Sequence, residues 1–340
     1  MRFSALFATA AIIALFAFTG SRAPETAEVT LTLTEAGNSV SGMVKITNAA
    51  GETVKPPELF SRGKGLSNKL PIDDWYVVLG KTKLRLPRGQ LTIEAFSGLE
   101  TETTRTTVDV GKTNTIDIPL TRFSNSRKQG LRSANTHLHL QKISREECDR
   151  YLTEIPQADD LDVLFLSYLE RAVADKQYTS NRYTTADLAK LTKASGVLFG
   201  NGEEHRHNFT GFGQGYGHVM LLNIKKLIQP VSIGPGIMKI GTDGLPLQRG
   251  IDTARRDGAT VVWCHNDWGM EQVPNWVTGR VNAHNIFDGG THGSFKNSFY
   301  RYLNAGIRVP FSTGTDWFMY DFSRVYVPIK GKLTVKKWLP

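Results

Sequence analysis

The sequence predicts an α/β chain in two parts: an antiparallel β-sandwich, then a mostly parallel α/β barrel or open sheet. Three observations point there. Residues 27 to about 120 alternate apolar and polar side chains in short runs broken by turn residues. From Ala134 onward, apolar runs alternate with helical patterns instead. The length of 340 residues exceeds the usual size of one domain. Hydrophobic residues at 40% and charged residues at 21%, with no low-complexity tract, exclude a disordered, collagen-like or coiled-coil protein.

The first segment, residues 1–23, reads as a secretory signal peptide. Arg2 precedes an uncharged run, Ser4 to Thr19, rich in Ala, Leu, Ile and Phe, and Ser21-Arg22-Ala23 offers small residues at the cleavage positions. The run is shorter than a usual membrane-spanning helix, and an uncleaved anchor is the competing reading. No cysteine follows it to carry a lipid, and no other stretch is long and apolar enough to span a bilayer. An exported protein with no stable membrane span is therefore expected.

The sandwich is placed at residues 24–121. Its strand candidates are Val29-Leu31-Leu33, Val40 to Ile46, Trp75 to Leu79, Leu91 to Phe96, Thr107 to Val110 and Ile116 to Leu120. Gly51, Pro56-Pro57, Pro87-Arg88-Gly89 and Gly111-Lys112 punctuate them. Residues 122–132, with Arg127 and Lys128, form a basic linker, read either as an anion-binding patch or as a solvated join.

The last part, residues 133–340, has apolar runs at 161–166, 196–199, 219–224, 259–264, 307–311 and 325–327. Between them lie helix candidates. Ser144-Arg-Glu-Glu147 is a capping box opening a helix toward Ile155. Thr185 to Ala194, Gln248 to Asp257 and Asn297 to Ala305 are the others, the last ended by Gly306.

All eight histidines fall in this part. His137 and His139 are two apart, so on a strand both imidazoles share a face and can reach one cation, although such a pair is also common in plain packing. His265 follows the apolar run Val261 to Cys264, which puts it at a strand's carboxyl end, where α/β barrels place their chemistry. Asp316 stands in the same relation to Val309-Pro310-Phe311, and Gly202-Glu203-Glu204 closes another apolar run. His218 opens one, after the glycine-rich stretch 211–217. That stretch precedes a strand pattern and not a helix, so it lacks the helix N-terminus a nucleotide loop needs and reads as a mobile loop near the site. Nitrogen and carboxylate donors in this mixture suit zinc, manganese or iron better than calcium. The two cysteines exclude a disulfide scaffold and a cysteine-built zinc site, and Cys264 reads as a buried free thiol.

These residues, in this order, resemble the PHP (polymerase and histidinol phosphatase) superfamily, and within it the carbaryl-hydrolase-like metallohydrolases. The resemblance spans roughly residues 133 to 328. It rests on Asn135-Thr-His-Leu-His139, Gly202-Glu-Glu204, Gly217-His218-Val-Met-Leu-Leu, Val262-Trp-Cys-His265 and Gly314-Thr-Asp316. It implies a distorted seven-stranded barrel of TIM-like type with metals at the strand ends. It implies that His137, His139 and Asp316 bind one divalent metal, that His218 and His265 bind a second, and that Glu204 bridges them, with Glu203 as the competitor. Glu204, His265 and Asp316 are thus the expected catalytic residues. Two such cations lower the pKa of a shared water and polarise the scissile carbonyl or phosphoryl oxygen.

Two departures matter. Ser167-Tyr168-Leu169 stands where the superfamily usually has Thr-Asp-His, and Phe318 where it usually has a histidine. Both missing groups belong to a third metal in the superfamily, so at most two metals are expected, phosphomonoesterase activity is disfavoured, and the chance that catalysis is lost rises. One or both of His205 and His207 face the substrate or replace a missing ligand, or else hydrogen-bond behind the site. Arg324 meets an anionic substrate or pairs with Asp321. Trp317 and Tyr320 shape the pocket, and His284 and His292 are structural. The expected function is an exported hydrolase that cleaves an ester, amide or carbamate, or phosphodiester bond in a small-molecule or polymer-derived substrate. The alternative is a catalytically degenerate secreted protein that binds polysaccharide or envelope. Nucleic-acid binding is disfavoured, because the residues behind the +9 charge are scattered.

Overall fold

The computed structural model describes residues 25–66, 71–169, 178–207, 215–230, 245–265, 269–288, 299–308 and 310–339. The expected leader, most of the glycine-rich stretch, the start of the fourth helix candidate and His292 lie outside the described residues.

Among the described residues, ten strands precede residue 121: β1 (Thr26–Glu35), β2 (Asn38–Val40), β3 (Gly42–Asn48), β4 (Thr53–Val54), β5 (Phe60–Ser61), β6 (Tyr76–Val78), β7 (Lys81–Pro87), β8 (Gly89–Phe96), β9 (Thr104–Val110) and β10 (Thr115–Leu120). They form two sheets. In the first, β1 carries β10 on one edge and β2 and β7 on the other; in the second the order is β5-β6-β3-β8-β9, with β4 beside β3. Alternation decides which side chains meet. Val29, Leu31 and Leu33 of β1 and Ile116, Ile118 and Leu120 of β10 point at Val44, Ile46, Leu91 and Ile93 of the second sheet, in one buried cluster. The sheets are not wholly antiparallel: β1 and β10 run parallel, from Thr30 opposite Thr115 to Glu35 opposite Leu120. The chain passes from β2 to the second sheet, returns to the first for β7, goes back for β8 and β9, and re-enters beside β1 in the same direction. The strand at β7 has no counterpart among the sequence expectations, because only Leu84 and Leu86 of its seven residues are apolar and buried.

The second sheet is buried on both faces. Val44, Tyr76 and Val78 face the first sheet. Met43, Val77 and Phe60 face the other way, against Tyr151, Leu152 and Ile155 of helix α1 (Arg145–Ala158). A fully buried Val or Met side chain contributes about 1.5–3 kcal/mol, so this seam is held largely by apolar burial. Within it Arg62, 1% exposed, donates to both carboxylate oxygens of Asp159, to the Met319 carbonyl at 3.1 Å and to the Asp321 carbonyl at 2.9 Å. The basic residues of 122–132 are engaged in the same region. Arg122 reaches Glu35 at 2.7 Å and Asp160 at 3.1 Å, and Arg127 reaches Asp162 at 2.8 Å.

The following strands are β11 (Leu131–Asn135), β12 (Leu138–His139), β13 (Val163–Tyr168), β14 (Leu198–His207), β15 (Gly217–Leu222), β16 (Thr260–Trp263), β17 (Ala283–Asp288), β18 (Phe311–Gly314), β19 (Asp316–Trp317) and β20 (Val325–Pro328). Eight of them make one sheet in the order β18-β17-β16-β15-β14-β13-β11-β20. Short β12 and β19 pair parallel, Leu138 with Asp316 and His139 with Trp317, and so draw β11 toward β18 and nearly close the sheet into a barrel. The resemblance implies seven strands; among the described residues the sheet has eight, because β20 adds antiparallel to the free edge of β11. It is also less parallel than the alternation of elements implies, because β15 runs antiparallel to both β14 and β16.

Helices α2 (Thr185–Ser195), α3 (Leu247–Arg256), α4 (Gln272–Val277), α5 (Phe299–Asn304) and α6 (Val335–Trp338) accompany these strands. The capping box at Ser144 is formed in both directions, and Thr184 with Asp187 makes a second at the start of α2. Among the described residues no helix is long and apolar enough to cross a membrane.

Removing one partner of the buried Arg62–Asp159 pair strands the other charge. Arg62→Ala is expected to lower stability by about 3–5 kcal/mol in urea unfolding, and the double variant Arg62→Met/Asp159→Leu to recover most of it. A single variant within about 0.5 kcal/mol of wild type overturns this role.

Candidate metal centre

The site is assembled at the mouth where β11, β13, β14 and β16 end. His137 and His139 follow β11 and enter β12, and both are fully buried. Their backbone is fixed on two sides. Asp316 N–H donates to the His137 carbonyl at 2.9 Å, Phe318 N–H donates to the His139 carbonyl at 3.0 Å, and His137 N–H donates to the Asn135 side chain at 3.1 Å. Asn135 in turn donates to Thr315 Oγ1 at 2.8 Å. Gly314 lets the two segments meet: a Cβ there would fall 2.4 Å from His137 Cβ and 2.6 Å from its nitrogen. His139 Nδ1 lies 3.1 Å from the Ser167 carbonyl. A carbonyl oxygen can only accept, so Nδ1 is the donor there, and Nε2 faces inward.

Glu204 enters from β14. This strand runs to His207, well beyond the apolar run that marks its start, because its polar half pairs with β15 from Gly202 opposite Leu222 to His207 opposite Gly217. Period two then sorts the polar residues. Glu204 and Arg206 face the barrel interior. Glu203, His205 and His207 face out beneath α3, where His205 Nδ1 lies 2.7 Å from Glu203 and a Cβ on Gly250 would fall 2.1 Å from His205 Nε2. His207 Nε2 lies 3.0 Å from His205 Nε2 and 3.3 Å from Arg249 Nη2. The expectation that His205 and His207 face the substrate is therefore corrected: strand alternation turns both away from Glu204. The same alternation separates the two glutamates, since Glu203 accepts the Ile228 N–H at 2.8 Å on the outer side.

The reversal of β15 explains His218. Its position at the start of an apolar run looks out of keeping with the other candidates, but in a strand running the opposite way the start lies at the mouth where β14 and β16 end. His265, just after β16, and Asp316, opening β19, both adopt left-handed backbone, with φ of 54° and 60°. Such conformations cost non-glycine residues about 1–3 kcal/mol and persist where the surroundings over-determine them.

The six side chains converge. His139 Nε2 lies 3.0 Å from Glu204 Oε2 and 3.0 Å from His137 Nε2, which is 3.4 Å from Asp316 Oδ1. Glu204 Oε1 lies 3.0 Å from His218 Nδ1 and 3.3 Å from His265 Nε2. The two carboxylate oxygens of one glutamate thus serve two groups: His137, His139, Glu204 and Asp316 in one, and Glu204, His218 and His265 in the other, each with its donor atoms within 4.8 Å of one another. Donors sharing one ion at about 2.0–2.2 Å sit roughly 3–3.5 Å apart; the separations of 3.0–3.4 Å fall in that range, while His137–Glu204 at 3.9 Å and His139–Asp316 at 3.8 Å are wider. Every member is 4% exposed or less.

The electrostatics agree with a metal-competent set. Burial works against ionisation of Glu204, but the Arg206 charge and the hydrogen bonds from His139, His218 and His265 hold its pKa well below the usual carboxylate range. Burial, aided by Arg206, pushes His218 down to about 3, so its imidazole is neutral and has a lone pair to give. Neither ring nitrogen of buried His218 has a well-formed hydrogen bond, although Nδ1 approaches Glu204 Oε1 to 3.0 Å. The residues present therefore fit divalent ions, and the clusters could hold one or two.

The remaining candidates fall elsewhere. Arg324 is outside the cluster: it donates to the Phe322 carbonyl at 3.2 Å and the Asp159 carbonyl at 2.8 Å, on the seam with Arg62. Asp321 accepts the Ser323 N–H at 2.8 Å. These backbone bonds turn the Arg324 side chain toward the seam and correct its assignment to the substrate. Trp317 and Tyr178 stack beside His139, with ring centroids 5.2 and 6.2 Å from it. His284 packs edge-on against Trp276 at 4.3 Å. Phe318 is buried against Tyr151, and Ser167 accepts the Leu138 N–H at 3.1 Å. Cys264 and Cys148 are both buried free thiols. The sequence reading misses Arg206, although its place two residues after Glu204 on one strand is the signal that would have found it. An added methyl at Gly314 must displace His137, so Gly314→Ala is expected to weaken metal binding about tenfold or more in a chelator competition. Unchanged affinity sinks that account of the glycine.

No family model matches the chain, and no curated protein matches it. Among solved structures, the chain is similar to a two-domain protein from Bacteroides vulgatus containing a predicted PHP-like metal-dependent phosphoesterase, at 13% identity and a TM-score of 0.37. The likeness covers 55% of this chain and 52%, about half, of that one.

Proposed function

We propose that this chain is an exported metal-dependent hydrolase of the PHP type, on the carbaryl-hydrolase-like branch. Its substrates would carry an ester, amide or carbamate, or phosphodiester bond. The observation that supports this reading is the sharing of Glu204 between two groups of buried donors, one with His137, His139 and Asp316 and the other with His218 and His265. Zinc, manganese or iron bound there would lower the pKa of a water and polarise the oxygen of the scissile group.

The chain's own residues do the rest. His139 is held in one tautomer by the Ser167 carbonyl, and the Asn135–Thr315 bond locks the turn that carries His137. Glu204 stays ionised despite full burial, so no proton has to leave before ions bind. Trp317 and Tyr178 form an aromatic wall against which an apolar part of a substrate can rest. Export rests on the uncharged run Ser4 to Thr19 behind Arg2.

Elemental analysis of the purified protein is expected to find near-stoichiometric zinc, manganese or iron. His137→Ala/His265→Ala should lose it, with hydrolysis of chromogenic ester, carbamate and phosphodiester substrates falling by at least about a hundredfold and the circular dichroism unchanged. A metal-free wild type that is inactive on all three substrate classes after reloading defeats the proposal.

A further inference from the structure

The nearly closed barrel leaves a gap. Among the described residues its sheet ends at β18 on one side and at β20 on the other, and a cavity of about 310 Å³ lies beside these two edges. Phe311 of β18 and Val325 and Val327 of β20 line it, with Leu222, Val262 and Ala283 from β15, β16 and β17. Leu222 and Ala283 stand at the end away from the metal donors, since β15 finishes there and β17 starts there. Helix α6 adds Trp338, held beside β11 by a 3.0 Å bond from its Nε1 to the Arg132 carbonyl and by Phe165 at 5.7 Å between ring centroids. The interior of such a barrel is ordinarily filled by side chains. A void of this size sits at the lower end of the roughly 300–1,000 Å³ of small-molecule sites, and apolar cavities stay dry and take up apolar molecules.

Polarity changes along the cavity. At one end Thr136 Oγ1 and Ser312 Oγ lie 2.9 Å apart, and Thr136 Oγ1 donates to the Thr313 carbonyl at 2.9 Å. Those hydroxyls are engaged with each other and with the backbone, so this end suits an apolar group. Thr136 directly precedes His137, which puts the cavity behind the metal centre, and none of the six donors lines it. Beside Trp338, toward the start of β11, stands exposed Lys337, the one charged side chain among the described lining residues. The segment that carries it, residues 330–337, has four lysines and no carboxylate.

We propose that this cavity binds a single aliphatic chain with a monoanionic head, a medium-chain fatty carboxylate. The chain runs toward Thr136, and the carboxylate stays in water at Lys337. One cation in the lining matches one negative charge. Phe311, 57% exposed on the free edge of β18, is covered by the chain. The site is separate from the metal centre, and the inference does not rest on the hydrolase reading.

The test uses the full chain in calorimetry with octanoate and octanol as probes. Wild type is expected to bind one octanoate per chain. Ala283→Leu fills the cavity and should weaken both probes at least about tenfold. Val262→Phe is a second blocking variant, and circular dichroism shows which of them keeps the fold. Lys337→Gln, at an exposed position, should weaken octanoate about two- to fivefold and leave octanol unchanged. A wild type that binds no octanoate overturns the proposal. So does octanoate binding that a folded blocking variant leaves within twofold, or a Lys337→Gln that treats both probes alike. A wild-type dimer that Phe311→Ser dissolves and octanoate does not disturb assigns the gap to a second copy of the chain, and also overturns it. Metal content is measured on the same samples, and an empty metal centre in wild type counts against the hydrolase reading alone.

Discussion

One buried carboxylate organises the site. Glu204 is 1% exposed, and an ionised group in such a place is tolerated only if the surroundings supply compensating charge and hydrogen bonds. Here they come from four separate stretches of chain: His139, Arg206, His218 and His265. Each stretch must arrive at the same end of the barrel for the carboxylate to be stable, so the requirement to satisfy Glu204 constrains the arrangement of β12, β14, β15 and the turn after β16. The reversed direction of β15 is part of that constraint, since a parallel strand would deliver His218 to the opposite mouth.

The ring is drawn together where the first and last parts of the barrel sequence meet. The β12–β19 pairing is only two residues long on each side, yet it sets His137 beside Asp316 across most of the domain. The left-handed backbone at His265 and Asp316 belongs to the same picture. Regular strand geometry would carry each side chain past the cluster; a single left-handed residue at the strand end turns it back. Strain of this kind is expected where side-chain placement and not local comfort decides the backbone.

Much of this is legible in the residues alone. The alternating runs give most of the sandwich strands, and the capping box at Ser144 gives the start of α1 within a residue. His265, Asp316 and the Glu203-Glu204 pair are visible at the ends of apolar runs, His218 at the start of one, and His137 with His139 as a His-x-His pair; their grouping is what the resemblance implies. What escapes is whatever depends on pairing. The choice between Glu203 and Glu204 needs the strand to continue to His207, and nothing in the polar run Glu203 to Asn208 announces a strand. For the same reason His205 and His207 look like neighbours of the substrate until the period of two places them under α3. Arg324 fails differently: its nearness in sequence to Asp316 says nothing about the seam it turns toward. The parallel β1–β10 pair and the sparse strand β7 also depend on partners far along the chain.

The two-faced sheet carries a consequence for how the molecule is partitioned. Because Met43 and Val77 reach one way and Val44 and Val78 the other, β3 and β6 form the middle ply of a three-ply laminate whose outer plies are the first sheet and α1. Peeling the sandwich off would bare Leu152 and Ile155 together with the carboxylate of Asp159, directly behind the turn that presents Asp316. The amino-terminal ply thus acts as a backing board for α1 and, through it, for the turn that carries the donors.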